Sequence, residues 1–189
     1  MEVTKIVDFD PKCKFIVKGD QVQFPSFRLQ SEPMQVGFDL VLSKFGAYKL
    51  GLFPLGPACD SQTLNKVGEF DRSACEALAK SKREQKKFFH PSSWKFKISQ
   101  VYTGSYLNLK WKDSHNVMIF ESDGTPVEYK FDELNRVIPK GTVIELIFDV
   151  TNSYTFNKAH GLVVIPRGIR KSKVKKEIKE DKIVADMFD

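Results

Sequence analysis

The chain has 189 residues, a formal net charge of +6 and a pI near 9.1. That length fits one domain able to bury its own core, and the basic balance favours polyanionic partners, nucleic acid ahead of acidic membrane surfaces. Cys13, Cys59 and Cys75 lie too far apart for a zinc ribbon or a dithiol redox motif, and no run of about 18 apolar residues is present to span a membrane.

The odd cysteine count and the lack of an apolar leader predict an intracellular, reducing compartment. In chain order, residues 14–18 form a short apolar run, with Phe15 and Val17 on one side and Ile16 on the other, closed by a turn at Gly19 and Asp20. Residues 24–34, interrupted by Pro25 and Pro33, read as loop or sheet edge. Residues 35–42 read as a strand with Val36, Phe38, Leu40 and Leu42 on one face. Residues 46–68, rich in glycine and proline, read as an irregular excursion into a helix. That helix is predicted over 73–89, opened by a capping box of Ser73 and Glu76 and stopped by Pro91. Its basic second half complements the helix dipole.

Strands then follow closely. Residues 94–102 place Trp94, Phe96 and Ile98 on one face, with Lys95 and Lys97 on the other. Residues 106–112 place Leu107, Leu109 and Trp111 inward, and Tyr106, Asn108, Lys110 and Lys112 outward. A third strand covers 116–121. Asp123 and Gly124 mark a hairpin, and 127–131 return from it. Residues 139–141 are a turn before the strand 141–150, where Ile144, Leu146, Phe148 and Val150 share a face. After Pro166 the chain becomes densely charged and predicts a flexible tail.

Short antiparallel strands with one helix between them are economically closed as a five-stranded oligonucleotide-binding barrel, with a β-sandwich as the alternative. The expected division is a domain over 1–170 and a charged tail over 171–189. The connection 153–161 carries two rings, Tyr154 and Phe156, with Lys158 and His160 close behind. Rings and positive charge displayed between two rigid strands suit flat, anionic ligands, and unpaired nucleic acid is the commonest of these. The three histidines have no metal-ligand spacing, and no phosphate-binding loop, nucleophile elbow or paired-carboxylate motif is present. No enzyme activity, metal or cofactor is expected.

From Ser92 to Arg167 the chain resembles the single-stranded DNA-binding proteins of phages in the T7 group and of large DNA viruses. The resemblance rests on Trp94-Lys95-Phe96-Lys97, on the segment 116–126, on Ile138-Pro139-Lys140-Gly141-Thr142, and most sharply on Tyr154-x-Phe156-Asn157-x-Ala159-x-Gly161. Ser99 stands where that family has a further aromatic, and the terminal tail is short and mixed in charge. The resemblance implies an oligonucleotide-binding fold with an inserted helix, single-stranded DNA as ligand, homodimers, and a tail that meets replication proteins such as polymerase, helicase or primase. It implies base stacking on Tyr154 and Phe156, and phosphate contacts from Lys95 and Lys97. Tyr106, Lys110, Lys112, Lys158, Arg167 and Arg170 complete the expected nucleic-acid face. Asp186, Phe188 and Asp189 are the expected partner contacts. The implied role is to coat unpaired DNA during viral replication, recombination and repair. A capsid or scaffold β-protein, and a nuclease or polymerase accessory protein using such a barrel, are the alternatives.

Overall fold

The computed structural model describes residues 1–84, 98–101, 104–156 and 159–174. The elements are β1 (Val3–Lys5), β2 (Ile16–Lys18), β3 (Gln21–Gln23), β4 (Phe27–Gln30), β5 (Met34–Val36), β6 (Ala47–Pro54), α1 (Gln62–Glu84), β7 (Ile98–Val101), β8 (Gly104–Lys112), β9 (Met118–Phe120), α2 (Leu134–Val137), β10 (Val143–Phe156) and β11 (Ala159–Lys171).

The sheet is organised around β10. One edge of β10 pairs antiparallel with β4 and then β5, through Phe148↔Leu29 and Ile144↔Met34, while its other edge pairs with β11. β5 hands the sheet to β6, β6 to β8, and β8 to β7. β1 runs parallel beside β4, β9 runs parallel beside β11, and β2 and β3 make a separate hairpin. β4 and β5 act as two halves of one bent strand. At the bend, Ser31 N–H donates to the Leu146 carbonyl and Ser31 Oγ accepts from Leu146 N–H, both at 2.9 Å. Pro33, with no N–H to offer a ladder, follows at once.

Alternation fixes what is buried. Ile144, Leu146, Phe148 and Val150 of β10, Tyr48, Leu50 and Leu52 of β6, and Leu107, Leu109 and Trp111 of β8 all point into one core. Helix α1 closes that core with Leu64, Val67, Phe70, Ala74 and Leu78, spaced three or four apart along one face. Its first turn is held by Ser61, whose Oγ accepts from Leu64 N–H at 3.2 Å, and by the Glu32 carboxylate, which accepts from Thr63 N–H at 3.2 Å and from the Ser61 hydroxyl.

Several expectations change. The helix begins at Gln62, and Ser73 and Glu76 lie inside it. The pattern at Ser73 matches a capping box, but the real cap is Ser61, whose only local signal is the serine itself, because the carboxylate comes from Glu32, distant in sequence. The segment 46–68 is strand β6 and the start of α1 rather than irregular chain. The strand expected over 35–42 ends at Val36. Val36 and, beyond the strand, Leu40 are buried, while Leu42 is exposed. The return strand expected over 127–131 is reduced to one bridge, Phe120↔Pro126. Val127, Tyr129 and Phe131 instead pack onto the core from non-strand backbone, with Tyr129 Oη donating to the Val117 carbonyl. A second, four-residue helix, α2, follows. The mainly β fold with a helix inserted between strands stands. β11 lies against β8, but among the described residues no hydrogen-bonded ladder joins the two to close a barrel. No described helix is long and apolar enough to cross a membrane.

Candidate nucleic-acid interface

The outward face of β6 and β8 gathers charge and rings in one stripe. Lys49 stands directly opposite Lys110, and Ala47 opposite Lys112. All three lysines are exposed, and among the described residues none has a carboxylate partner. Like charges facing each other across a ladder destabilise a sheet. A fold that keeps such a pair without neutralising it has a surface ready for an anion.

Four residues further along each strand, at Phe53 and Tyr106, lies an aromatic cluster that Phe38 completes from the β5–β6 connection. Tyr106 and Phe53 are stacked, with centroids 4.8 Å apart and planes 14° apart, and Phe38 meets both edge-on at 5.4 Å. The rings of Phe38 and Phe53 come close to the backbone because Gly51 and Gly37 carry no side chain there. A Cβ on Gly51 would sit 2.7 Å from the Phe38 ring, and one on Gly37 would sit 2.1 Å from the Phe53 ring. Tyr106 therefore needs correction as a binding residue. Its register is outward as expected, but Phe38 and Phe53 seal it to 3% exposure. The rings open to a ligand in this cluster are the half-buried Phe38 and Phe53.

The outward face of β4, β10 and β11 is built differently. Asp149, buried, takes a two-pronged contact from Arg28 (Nε 2.7 Å, Nη2 3.0 Å) and another from Arg167 Nε at 2.8 Å. Burial pushes the Asp149 carboxyl up, but the two guanidinium groups outweigh it by hydrogen bonding and charge and hold it below the ordinary 3.8. Arg170 shares Glu145 with Gln30. Arg167 and Arg170 thus lie on the outer surface, with part of their charge committed to these carboxylates. Beside them Gln30, Phe120, Ile147, Gly168 and Arg170 line a shallow depression of about 290 Å³.

The connection expected over 153–161 is largely strand. The ladder of β10 and β11 continues through Tyr154↔Gly161 to Phe156↔Ala159. Tyr154 and Phe156 are therefore two steps apart near the end of a long hairpin, which is anchored below by Ser153, whose Oγ accepts from Val22 N–H and donates to the Val22 carbonyl at 3.1 Å. Lys95, Lys97, Lys158, Asp186, Phe188 and Asp189 lie outside the described residues. Lys110 and Lys112 are brought together with Lys49, which the sequence reading passed over. The period of two in Tyr48, Leu50 and Leu52 was its signal, obscured by the glycines and prolines around it. No cluster of His, Cys, Asp or Glu suited to a metal occurs among the described residues.

Searches of family models and of curated proteins return no match for the chain. Among solved structures it is similar to the single-stranded DNA-binding protein of bacteriophage Enc34, with a TM-score of 0.52, 14% identity, and coverage of 93% of this chain and 99% of that one. It is likewise similar to gp2.5, a single-stranded DNA-binding protein encoded by bacteriophage T7, with a TM-score of 0.51, 15% identity, and coverage of 85% and 99%. The fold is that of phage single-stranded DNA-binding proteins. At these identities the likeness is one of architecture, and the interface has to be argued from this chain's own residues.

Proposed function

We propose that the chain is a non-enzymatic, sequence-independent binder that coats single-stranded DNA during viral replication, recombination and repair. The observation that carries this reading is the set of exposed lysines Lys49, Lys110 and Lys112, without a carboxylate partner among the described residues, on one sheet face beside the half-buried rings of Phe38 and Phe53. Unpaired nucleic acid needs both parts, a track for phosphates and planes for bases. A duplex hides its bases and would leave the rings without a partner. In this reading Tyr154 and Phe156 offer further stacking surfaces at the end of the β10–β11 hairpin. Lys95, Lys97 and Lys158 extend the phosphate track, and Arg167 and Arg170 flank it. The tail over 171–189 contacts replication proteins through Asp186, Phe188 and Asp189, and the chain acts as a homodimer.

Titration with oligo-dT and with duplex of the same length tests the core of the reading. Clear preference for the single strand is expected, and equal affinity for both would end it. Replacing Tyr154 and Phe156 together by alanine should weaken binding by about 1–3 kcal/mol for each stacked base lost. Unchanged affinity would remove these two residues from the interface.

A further inference from the structure

The hairpin between β5 and β6 ends in a tip that the core does not use. The tip is held in shape. Ser43 N–H donates to the Ala47 carbonyl at 2.9 Å, Gly46 N–H donates to the Ser43 carbonyl at 3.0 Å, and Gly46 has a φ of +68°. Positive φ of this size is open to glycine at little cost and makes the turn tight. Further back, Leu40 is buried and its N–H donates to Asn135 Oδ1 at 3.1 Å, which anchors the base of the tip.

On this braced turn Phe45 is 80% exposed. A phenylalanine left in water forgoes the stabilisation that burial would bring, and no contact among the described residues explains its placement. Lys44 Nζ lies 5.2 Å from the Phe45 ring centroid, so a cation covers one face of the ring and the other is open. Two residues on, Ala47 stands opposite Lys112, and next comes the pair Lys49 and Lys110. The tip is thus the continuation of the lysine ladder, at the end away from Phe38 and Phe53.

We propose that Phe45 is a base-stacking contact for single-stranded nucleic acid, with Lys44 meeting the adjoining phosphate. The proposal rests on the single-strand reading and adds a stacking platform at the far end of the lysine stripe. A bound strand would then run along β6 and β8 with rings at both ends of its phosphate track. The cationic neighbours favour nucleic acid over a protein partner, because an apolar docking knob gains nothing from ammonium groups beside it.

Oligo-dT binding by the full chain and by Phe45→Ala, Phe45→Leu, Phe45→Trp and Lys44→Gln variants tests this over a salt series. Loss of one stacked base corresponds to roughly a 5-fold or greater rise in Kd. Phe45→Ala and Phe45→Leu are both expected to show it, with the salt slope unchanged because no charge is removed. Phe45→Trp is expected to bind as the parent does, and its added indole emission should be quenched by oligo-dT. Lys44→Gln should lower the magnitude of the salt slope by about 0.7. Parent-like affinity of both Phe45→Ala and Phe45→Leu overturns the proposal and leaves the single-strand reading intact. Loss in Phe45→Ala with full retention in Phe45→Leu overturns stacking in favour of a simple apolar contact. If the parent chain itself fails to prefer the single strand, the underlying reading falls and this proposal with it.

Discussion

Replacing Lys49, Lys110 and Lys112 together by glutamine separates a binding role from a structural one, because the two predict opposite signs. Lys49 and Lys110 face each other across β6 and β8, Lys112 follows opposite Ala47, and none of the three has a carboxylate partner among the described residues. Their removal relieves like-charge repulsion, worth about 0.2–1 kcal/mol for a directly opposed pair, so thermal stability should hold or rise. Binding should behave the other way. Each phosphate neutralised on a single strand contributes about −0.7 to the slope of log affinity against log salt, so the slope should flatten by about 2. If parent and variant converge near about 1 M salt, they should differ by roughly 100-fold a decade lower, at about 0.1 M. Fluorescence or anisotropy titrations with oligo-dT at four or five salt concentrations would read this. Arg72→Gln, Lys80→Gln and Lys14→Gln together, at exposed positions outside β6 and β8, remove the same three charges and control for net charge alone. A parallel loss of affinity at every salt, with the slope unchanged, would refute the phosphate-track reasoning. So would a control as damaging as the ladder variant.

Other outcomes follow from the same geometry. Asp149→Asn should destabilise the fold by about 2–4 kcal/mol, below the full cost of breaking a buried pair because both arginines are partly solvated. Its carboxyl has a folded pKa held below 3.8, so the stabilisation is present above that value and is lost as pH falls through the lower folded value. The variant should therefore show a flatter acid limb in a stability–pH profile, and an unchanged limb would contradict the assignment. Gly51→Ala would place a methyl 2.7 Å from the Phe38 ring, so it should cost about 1–3 kcal/mol in urea melts and weaken oligo-dT binding as the ring platform lifts. Trp111 is wholly buried, with its ring 6.3 Å from that of Tyr129. Its emission should resist acrylamide and single-stranded DNA alike.

What could be read from the sequence was what short-range periodicity encodes. Leu107, Leu109 and Trp111 faced the core as their alternation required, as did Ile144, Leu146, Phe148 and Val150. The turns at Gly19 and Gly141 carry positive φ, as their residue type suggested. Long-range devices were hidden. The start of α1 depends on Glu32 reaching across to Ser61 and Thr63, and no pattern near Ser61 announces that. β6 was masked by Gly51, which looks like a breaker yet exists so that Phe38 can lie against the backbone. Tyr129 and Phe131 alternate like strand residues, but their partner is the core rather than a neighbouring ladder. On the candidate face, the outward direction of Lys110 and Lys112 was legible from strand parity. Their placement beside Lys49 was not, since it needs the β6–β8 register, and the burial of Tyr106 was not, because exposure depends on what lies over a face as well as on its direction.

The central place of β10 also has a kinetic consequence. Its partners lie far back in the chain: Asp149 meets Arg28 across 121 positions and Ser153 meets Val22 across 131. Chains dominated by such distant pairings fold slowly, on the order of milliseconds to seconds, because loop closure must precede the reward. During synthesis β4 and β5 must wait, with one edge unsatisfied, until β10 has left the ribosome. Nascent chains truncated before Val143 should therefore be prone to aggregate, while addition of the last hairpin should trigger collapse to the native sheet.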